Sequence, residues 1–403
     1  MFTATGISRN SFSTTHLSRC KMALEMPPAR LRAKDDRHPL VDILLPVRNG
    51  APFLAQAIES IQAQTVTSWR LLVLDDGSTD RTAQIAKRYA AQDGRIRVVQ
   101  YPARGLIDTL NAGLKLCRAP FVARQDADDI SFPDRLACEI EYFEQHPECI
   151  AVSGGGITIN EAGKPQGGAW FNNPEWADPF WIPAREPYLS HPFLMVRRKI
   201  LQRLRYRNFF ICEDADLCWR LEEAGKIHSI RKPFGYYRVS NKSVSTRRAV
   251  DTRIQAIASQ LAAIAAQRRR TKRGDIHPER QLYEKMVKAN RFEAILELFR
   301  DKLSASEFEY LRVASIIKFI EIATYRLSKV SPREALLAYR ELRAISRKNW
   351  SGRDSIYYYC RRAHIHLLLR GNYQAARKLA PGIRGWLIVA FRQSWLLPLL
   401  PKQ

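Results

Sequence analysis

The chain of 403 residues reads as an α/β protein, a mostly parallel sheet flanked by helices, followed by a helical and basic C-terminal region. Three observations predict this. From Leu40 onward, short apolar runs alternate with segments of helical apolar spacing, the pattern of βαβ units. Acidic residues collect just after those runs, where open α/β sheets bind their ligands. Beyond Thr246 the periodicity is helical throughout, and about half of all Lys and Arg lie there.

Residues 1–38 are polar and basic, rich in Ser, Thr and Arg, and lack the apolar core of a secretory signal, so a disordered leader is expected. The first strand is Val41 to Leu45, and the loop Pro46-Val47-Arg48-Asn49-Gly50 leads into a helix from about Pro52 to Gln64. The second strand, Arg70 to Leu74, runs into Asp75-Asp76-Gly77-Ser78-Thr79-Asp80 and a helix to about Ala91. Ile96 to Gln100 is a third strand and Leu106 to Leu116 a helix. Phe121 to Arg124 is a fourth strand ending in Gln125-Asp126-Ala127-Asp128-Asp129. A helix follows Pro133, then a strand from Cys149 to Ser153 that Gly154-Gly155-Gly156 should break. The Trp-, Pro- and Asn-rich stretch from Gly167 to Ser190 reads as an irregular insertion, and Glu213 opens a helix to about Gly225. The expected organisation is a catalytic α/β domain over 39–248 and helices over 249–403, among them Phe292 to Phe299, Ile316 to Leu327, Pro332 to Ile345, Ile356 to Leu369 and Asn372 to Leu379.

Composition narrows the function. The formal net charge of +25 calls for an anionic partner: nucleic acid, an anionic membrane or a phosphorylated substrate. Seven cysteines without a CxxC spacing favour a reducing cytosol over a disulfide framework. No apolar stretch approaches the roughly 18 residues of a membrane span, so membrane contact is expected to be peripheral.

The acids carry the chemistry. Asp75 to Asp80 could hydrogen-bond a base or ribose; the alternative is an Asx turn and a helix cap. Asp126, Asp128 and Asp129 repel one another unless a hard cation such as Mg2+ or Mn2+ neutralises them. The alternative there is a solvated acidic loop. Glu213 and Asp214 offer a general base for an attacking hydroxyl, or a helix-start cap. His191, before Pro192, is more often structural than catalytic at such a place. Arg238, in Tyr237-Arg238-Val239-Ser240, could face a pyrophosphate or solvate a surface.

Taken in order, Pro46-Val47-Arg48-Asn49, Asp75 to Asp80, Asp126-Ala127-Asp128-Asp129, His191-Pro192 and Glu213-Asp214 resemble the family 2 glycosyltransferases of GT-A fold, over about Leu40 to Ser245. The resemblance implies an inverting, metal-dependent transfer of a sugar from a nucleotide diphosphate to a hydroxyl, with a UDP-sugar as the commonest donor. It implies that Pro46, Val47 and Asn49 form the loop under the base and that Asp76 reads the base imide. Asp126 would contact ribose or sugar, Asp128 would bind the metal, and Arg104 would lie near the donor. Asp214 would be the base, with His191, Glu213 and Arg238 lining the substrate. Ser240 stands where similar enzymes often carry His. The processive Gln-x-x-Arg-Trp motif is missing, so the resemblance implies one or few sugars added per acceptor. The run from Arg124 to Ser131 resembles bacterial enzymes of surface polysaccharide or lipopolysaccharide synthesis, which implies a glycan or lipid-linked acceptor at the inner face of the cell membrane.

The basic tail admits a membrane platform, packing against the catalytic domain, or a partner-binding scaffold. Gly385 to Pro401 is apolar with aromatic anchors and suits interfacial insertion, and Arg268 to Arg273 fits a phosphate-rich surface or a solvated linker. Nucleic-acid binding would account for the charge but not for acids at strand ends, so no nucleic acid is expected. A non-catalytic nucleotide-sugar-binding protein is the other alternative.

Overall fold

The computed structural model describes residues 39–239, 249–289, 291–325, 331–345, 364, 367 and 373–379, all within the compact unit that starts at Pro39. The expected leader, the interfacial segment from Gly385 and most of the helix from Ile356 lie outside the described residues.

The first strand, β1 (Val41–Val47), is buried along its whole length. A strand with apolar residues on both faces belongs at the centre of a covered parallel sheet. It lies between β2 (Trp69–Asp76) and β4 (Phe121–Arg124), parallel to both, and β3 (Ile96–Tyr101) extends the sheet beyond β2. Helices α1 (Leu54–Gln62), α2 (Thr82–Gln92) and α3 (Leu106–Leu116) make the crossovers. The chain therefore runs outward from β1 to β3 and returns to β4 on the other side of β1. The carboxyl ends of β1 and β4 meet at that reversal, the place where such sheets bind ligands.

Beyond β4 the sheet becomes mixed, with β8 (Met195–Arg197) antiparallel to both β4 and β6 (Cys149–Ile159). Then come β9 (Lys226–Arg238), parallel to β6, and the short β5 (Ile130–Ser131), while β7 (Pro165–Trp170) pairs with β6 from the side. Helix α4 (Arg135–Gln145) follows β5, α5 (Arg198–Leu204) follows β8, and α6 (Glu213–Ala224) precedes β9.

The three glycines do not break β6, which runs through them to Ile159. They allow close approach instead. A Cβ on Gly154 would stand 2.4 Å from the Phe234 ring, and one on Gly155 would stand 2.0 Å from the Trp170 carbonyl oxygen. Neighbouring chain fills the space that side chains would need, so the strand continues where propensity alone would end it.

The C-terminal helices are α7 (Ala249–Arg270), α8 (Arg280–Ala289), α9 (Phe292–Glu297), α10 (Ala305–Tyr325), α11 (Pro332–Ile345) and α12 (Tyr373–Leu379). Helix α7 is buried all round in its middle, from Ile254 to Ala266, and its many alanines admit the neighbouring α10. One apolar core joins these helices to Trp219 of α6 and to Phe209, Phe210, Ile182 and Ala184 of the α/β part. Of the basic run from Arg268 to Arg273, the first three arginines end α7 and are paired. Arg268 pairs with Glu307 at 2.7 Å, Arg269 with Glu223 at 2.6 Å and Arg270 with Glu222 at 2.5 Å. No described helix is long and apolar enough to cross a membrane.

Candidate active site

The floor of the site is made by the loops after β1 and β2. Pro46 and Val47 complete β1, in register with Leu74 and Asp75, and Asn49 takes a left-handed φ of 54°. The Asn49 side-chain oxygen accepts from the Thr79 N–H at 2.8 Å, and the Asn49 N–H donates to the Ser78 hydroxyl at 3.0 Å. The two loops are thus one hydrogen-bonded unit. Asp76 is buried, and its Oδ1 accepts from the Arg104 N–H at 2.8 Å and the Thr109 hydroxyl at 2.9 Å. Its Oδ2 accepts from the Gly105 N–H at 3.0 Å, which leaves a lone pair of that oxygen open. The carboxylate therefore holds the start of α3. The Arg104 guanidinium lies over the Tyr101 ring at 4.2 Å.

The wall is the acidic loop after β4. Buried Arg124 pairs through Nη2 with Asp126 at 2.5 Å. Gln125 and Arg135, both buried, hold the loop from beneath. The Gln125 amide donates to the carbonyl oxygens of Asp126 at 3.1 Å and Asp129 at 2.9 Å, and Arg135 donates to the Arg124 carbonyl at 2.8 Å. Asp129 accepts from the Arg238 N–H at 2.7 Å through Oδ1, while its Oδ2 is buried and unpaired. Burial, reinforced by Asp126, pushes the Asp128 carboxyl up to about 6, and Asp129 is driven upward by burial and Asp128.

The third side comes from α6 and the turn His191–Phe193. Asp214 accepts through Oδ2 from the Tyr188 hydroxyl at 3.1 Å and through Oδ1 from the Ala215 N–H at 2.8 Å. Burial and then Asp214 raise Glu213 to about 8, so Glu213 keeps its proton near neutral pH. The His191 ring meets the Tyr206 hydroxyl at 3.1 Å, and burial together with Arg124 lowers His191 to about 4, leaving it uncharged. Arg124 acts electrostatically on Asp128, His191, Tyr206 and Glu213 alike, so the loop after β4 and the start of α6 share one site.

A model of the family described as glycosyl transferase family 2 matches residues 42–205. The Bacillus subtilis (strain 168) protein EpsE, named as a glycosyltransferase, is 33% identical over 193 residues, 46% of this chain and 68% of EpsE. The chain belongs to glycosyltransferase family 2. Chondroitin synthase from Escherichia coli is 28% identical over 202 residues, 49% of this chain but only 28% of that enzyme. Among solved structures, the Pyrobaculum calidifontis mannosyltransferase PcManGT, in complex with GDP-Man and Mn2+, matches with a TM-score of 0.48 and 16% identity, covering 94% of each chain.

Within this glycosyltransferase, Arg238 has a task that neither expectation named. It is buried and does not solvate a surface. Its guanidinium donates to the carbonyl oxygens of Asp128 at 2.8 Å and Glu161 at 3.0 Å and to the Gln56 side chain at 2.8 Å. Arg238 thus ties the end of β9 to the acidic loop. Sequence reasoning did not single out Gln125, Arg135, Tyr188 or Tyr206 as parts of the site. The available signal was a Gln between a strand and three acids, with an Arg opening the next helix; nothing local marked the tyrosines.

Among the described residues, no three His, Cys, Asp or Glu side chains form a metal cage. The donor set nevertheless fits a hard cation that completes its shell with phosphate and water. Asp126 already has its cation in Arg124, whereas among the described residues Asp128 forms no ion pair and Asp129 keeps an unpaired buried oxygen.

Proposed function

We propose that this glycosyltransferase moves a sugar from a nucleotide-diphosphate sugar to an acceptor hydroxyl with inversion, aided by Mg2+ or Mn2+ at Asp128. The observation that carries the reading is the convergence of Asp126, Asp128, Glu213 and Asp214 about Arg124 at the switch point of the sheet. Pro46, Val47 and Asn49 support the base, and the open Oδ2 lone pair of Asp76 accepts its imide N–H. Arg104 flanks the donor beside Tyr101. Asp128, whose carbonyl oxygen accepts from Arg238 and whose loop neighbours Asp126 and Asp129 are held by Gln125, would hold the cation. The bound cation supplies charge neutralisation for the departing nucleoside diphosphate.

On the acceptor side, Glu213 holds its proton and Asp214 receives the one released by the attacking hydroxyl. One base and one displacement invert the anomeric centre. His191, neutral and tied to Tyr206, shapes the wall between the loop after β4 and α6. The transferase portion is assigned to residues 39–248, with a UDP-sugar as the leading donor and a glycan or lipid-linked hydroxyl as acceptor. Relatives such as chondroitin synthase support a setting in bacterial polysaccharide synthesis.

The test is calorimetric titration of UDP, GDP, ADP and dTDP with Mn2+ or with chelator, on wild type and Asp128→Ala. Binding of one base that needs the metal and drops at least about a hundredfold in Asp128→Ala is expected. No binding of any nucleotide by the wild type would sink the reading. Product configuration by NMR checks inversion.

A further inference from the structure

The stretch from Pro174 to Ser190 has no long regular element, yet it delivers Tyr188 to Asp214 with a hydroxyl-to-carboxylate distance of 3.1 Å. At its Ser190 end it is tied to β6, where the Ser190 N–H donates to the Ser153 hydroxyl at 3.1 Å, and from Pro179 to Glu186 it is held by the C-terminal helical region. An isolated bridge joins Asp178 to Arg185, and the chain on either side is fastened from α7 and α10. From α7, the Gln267 amide donates to the Pro179 carbonyl at 2.6 Å, and the Gln260 side-chain oxygen accepts from the Ala184 N–H at 3.0 Å. From α10, the Tyr310 hydroxyl meets the carbonyl oxygens of Pro179 and Trp181, each at 2.9 Å, and Lys318 pairs with Glu186 at 3.2 Å. Gln260 and Gln267 are buried, Tyr310 nearly so. A buried donor or acceptor that loses its partner while it stays buried costs free energy, so each fastening favours the held loop.

We infer that Tyr188 is a positioning residue for the base and that helices α7 and α10 exist in part to hold it there. This deepens the proposed function and rests on Asp214 being the base. Asp214 stands in the first turn of α6 with Oδ1 tied to the Ala215 amide. A second donor on Oδ2 fixes the plane of the carboxylate and so the direction from which it can take a proton. Misplacing a base by about 1 Å costs around a hundredfold in rate, so a single hydroxyl at that oxygen governs turnover while leaving the donor pocket untouched. On this view the helical region belongs to the catalytic unit, with the base on one side of the loop and its anchors on the other.

The experiment follows release of nucleoside diphosphate from UDP-N-acetylglucosamine or GDP-mannose with Mn2+, with water as the acceptor, in wild type, Tyr188→Phe and Tyr310→Phe. Nucleotide affinity is measured calorimetrically in parallel. Tyr188→Phe should lower kcat about tenfold at unchanged nucleotide affinity. It should also move the acid limb of the kcat profile to higher pH, because a hydrogen bond that favours the carboxylate has gone. A 13C titration of aspartate carboxyls, with Asp214→Asn for assignment, should show the same upward move without any substrate. Tyr310→Phe, which loses the bonds to the Pro179 and Trp181 carbonyls further up the loop, should give the same signature at smaller size. A wild type that turns over while Tyr188→Phe matches it in kcat, profile and carboxyl titration overturns the inference. A wild type that binds no nucleotide instead overturns the proposed function.

Discussion

The acids after β2 and the acids around β4 and α6 look alike in the sequence, yet the fold treats them in opposite ways. Asp75 and Asp76 are buried with their oxygens engaged: Asp75 accepts from the Ser78 N–H at 3.0 Å, and Asp76 from Arg104, Gly105 and Thr109. Asp80 accepts from the Thr82 N–H at 2.9 Å and the Ala51 N–H at 3.2 Å. Around β4 and α6, Asp128 forms no ion pair among the described residues, Asp129 keeps an unpaired oxygen, and Glu213 is pushed up to about 8. A carboxylate held by several donors of the chain builds a wall, even where one lone pair stays open, as on Asp76 Oδ2. One that is buried without such partners is held at a free-energy cost and is set to receive a cation or a proton.

The largest effect that separates the two groups is on rate. Asp214→Asn removes the proton acceptor but keeps the shape and the bond from Tyr188, so kcat should fall about 10² to 10⁴-fold. Its unfolding free energy should stay within about 1 kcal/mol of wild type. A loss of stability much larger than that in denaturant melts, with turnover retained, would place Asp214 with the wall-building acids.

Asp76→Ala should behave the other way. It strands the Arg104 and Gly105 N–H groups and the Thr109 hydroxyl, the last fully buried, for a cost of about 3 kcal/mol. Urea unfolding followed by circular dichroism gives that number directly. A variant as stable as wild type that loses only base selectivity would show that the carboxylate serves the ligand more than the fold.

The sequence carried much of the architecture because its signals are local. Strand β1 reads as a continuous apolar run, and α1 to α4 read from apolar spacing; their observed bounds fall close to the expected ones. Gly154 to Gly156 misled because their reason is non-local: Phe234, Trp170 and Phe171 occupy the space beside them. The same holds for Arg238, whose partners Gln56, Asp128 and Glu161 are distant in sequence. Tyr188 depends on helices more than 70 residues further on, as in the Ala184 to Gln260 bond. Acids at strand ends could be located from the sequence, but which of them are satisfied is decided by tertiary contacts alone.

The smallest effect is the most specific to the unsatisfied group. Glu213 at about 8, Glu139 at about 7 and Asp128 at about 6 all lie above the ordinary carboxyl range, each chiefly through burial. In the unfolded chain these groups have lost their protons by pH 6.5, so between pH 6.5 and 8 the folded protein binds more protons than the unfolded one. Stability must then fall as pH rises through that window. His191, lowered to about 4, opposes this slightly: it is half protonated in the unfolded chain near pH 6.5 and neutral in the folded one, which adds about 0.4 kcal/mol of stability by pH 8. Thermal melts should therefore show a decline on the order of 1 kcal/mol from pH 6.5 to 8. Glu213→Gln should flatten part of it, since an amide has no proton to lose. Mn2+ should oppose the Asp128 share by favouring the ionised carboxylate, and Asp128→Ala should abolish that response. The paired acids after β2 carry no such dependence on the metal, so a Mn2+ effect that survives Asp128→Ala would break the contrast between the two groups.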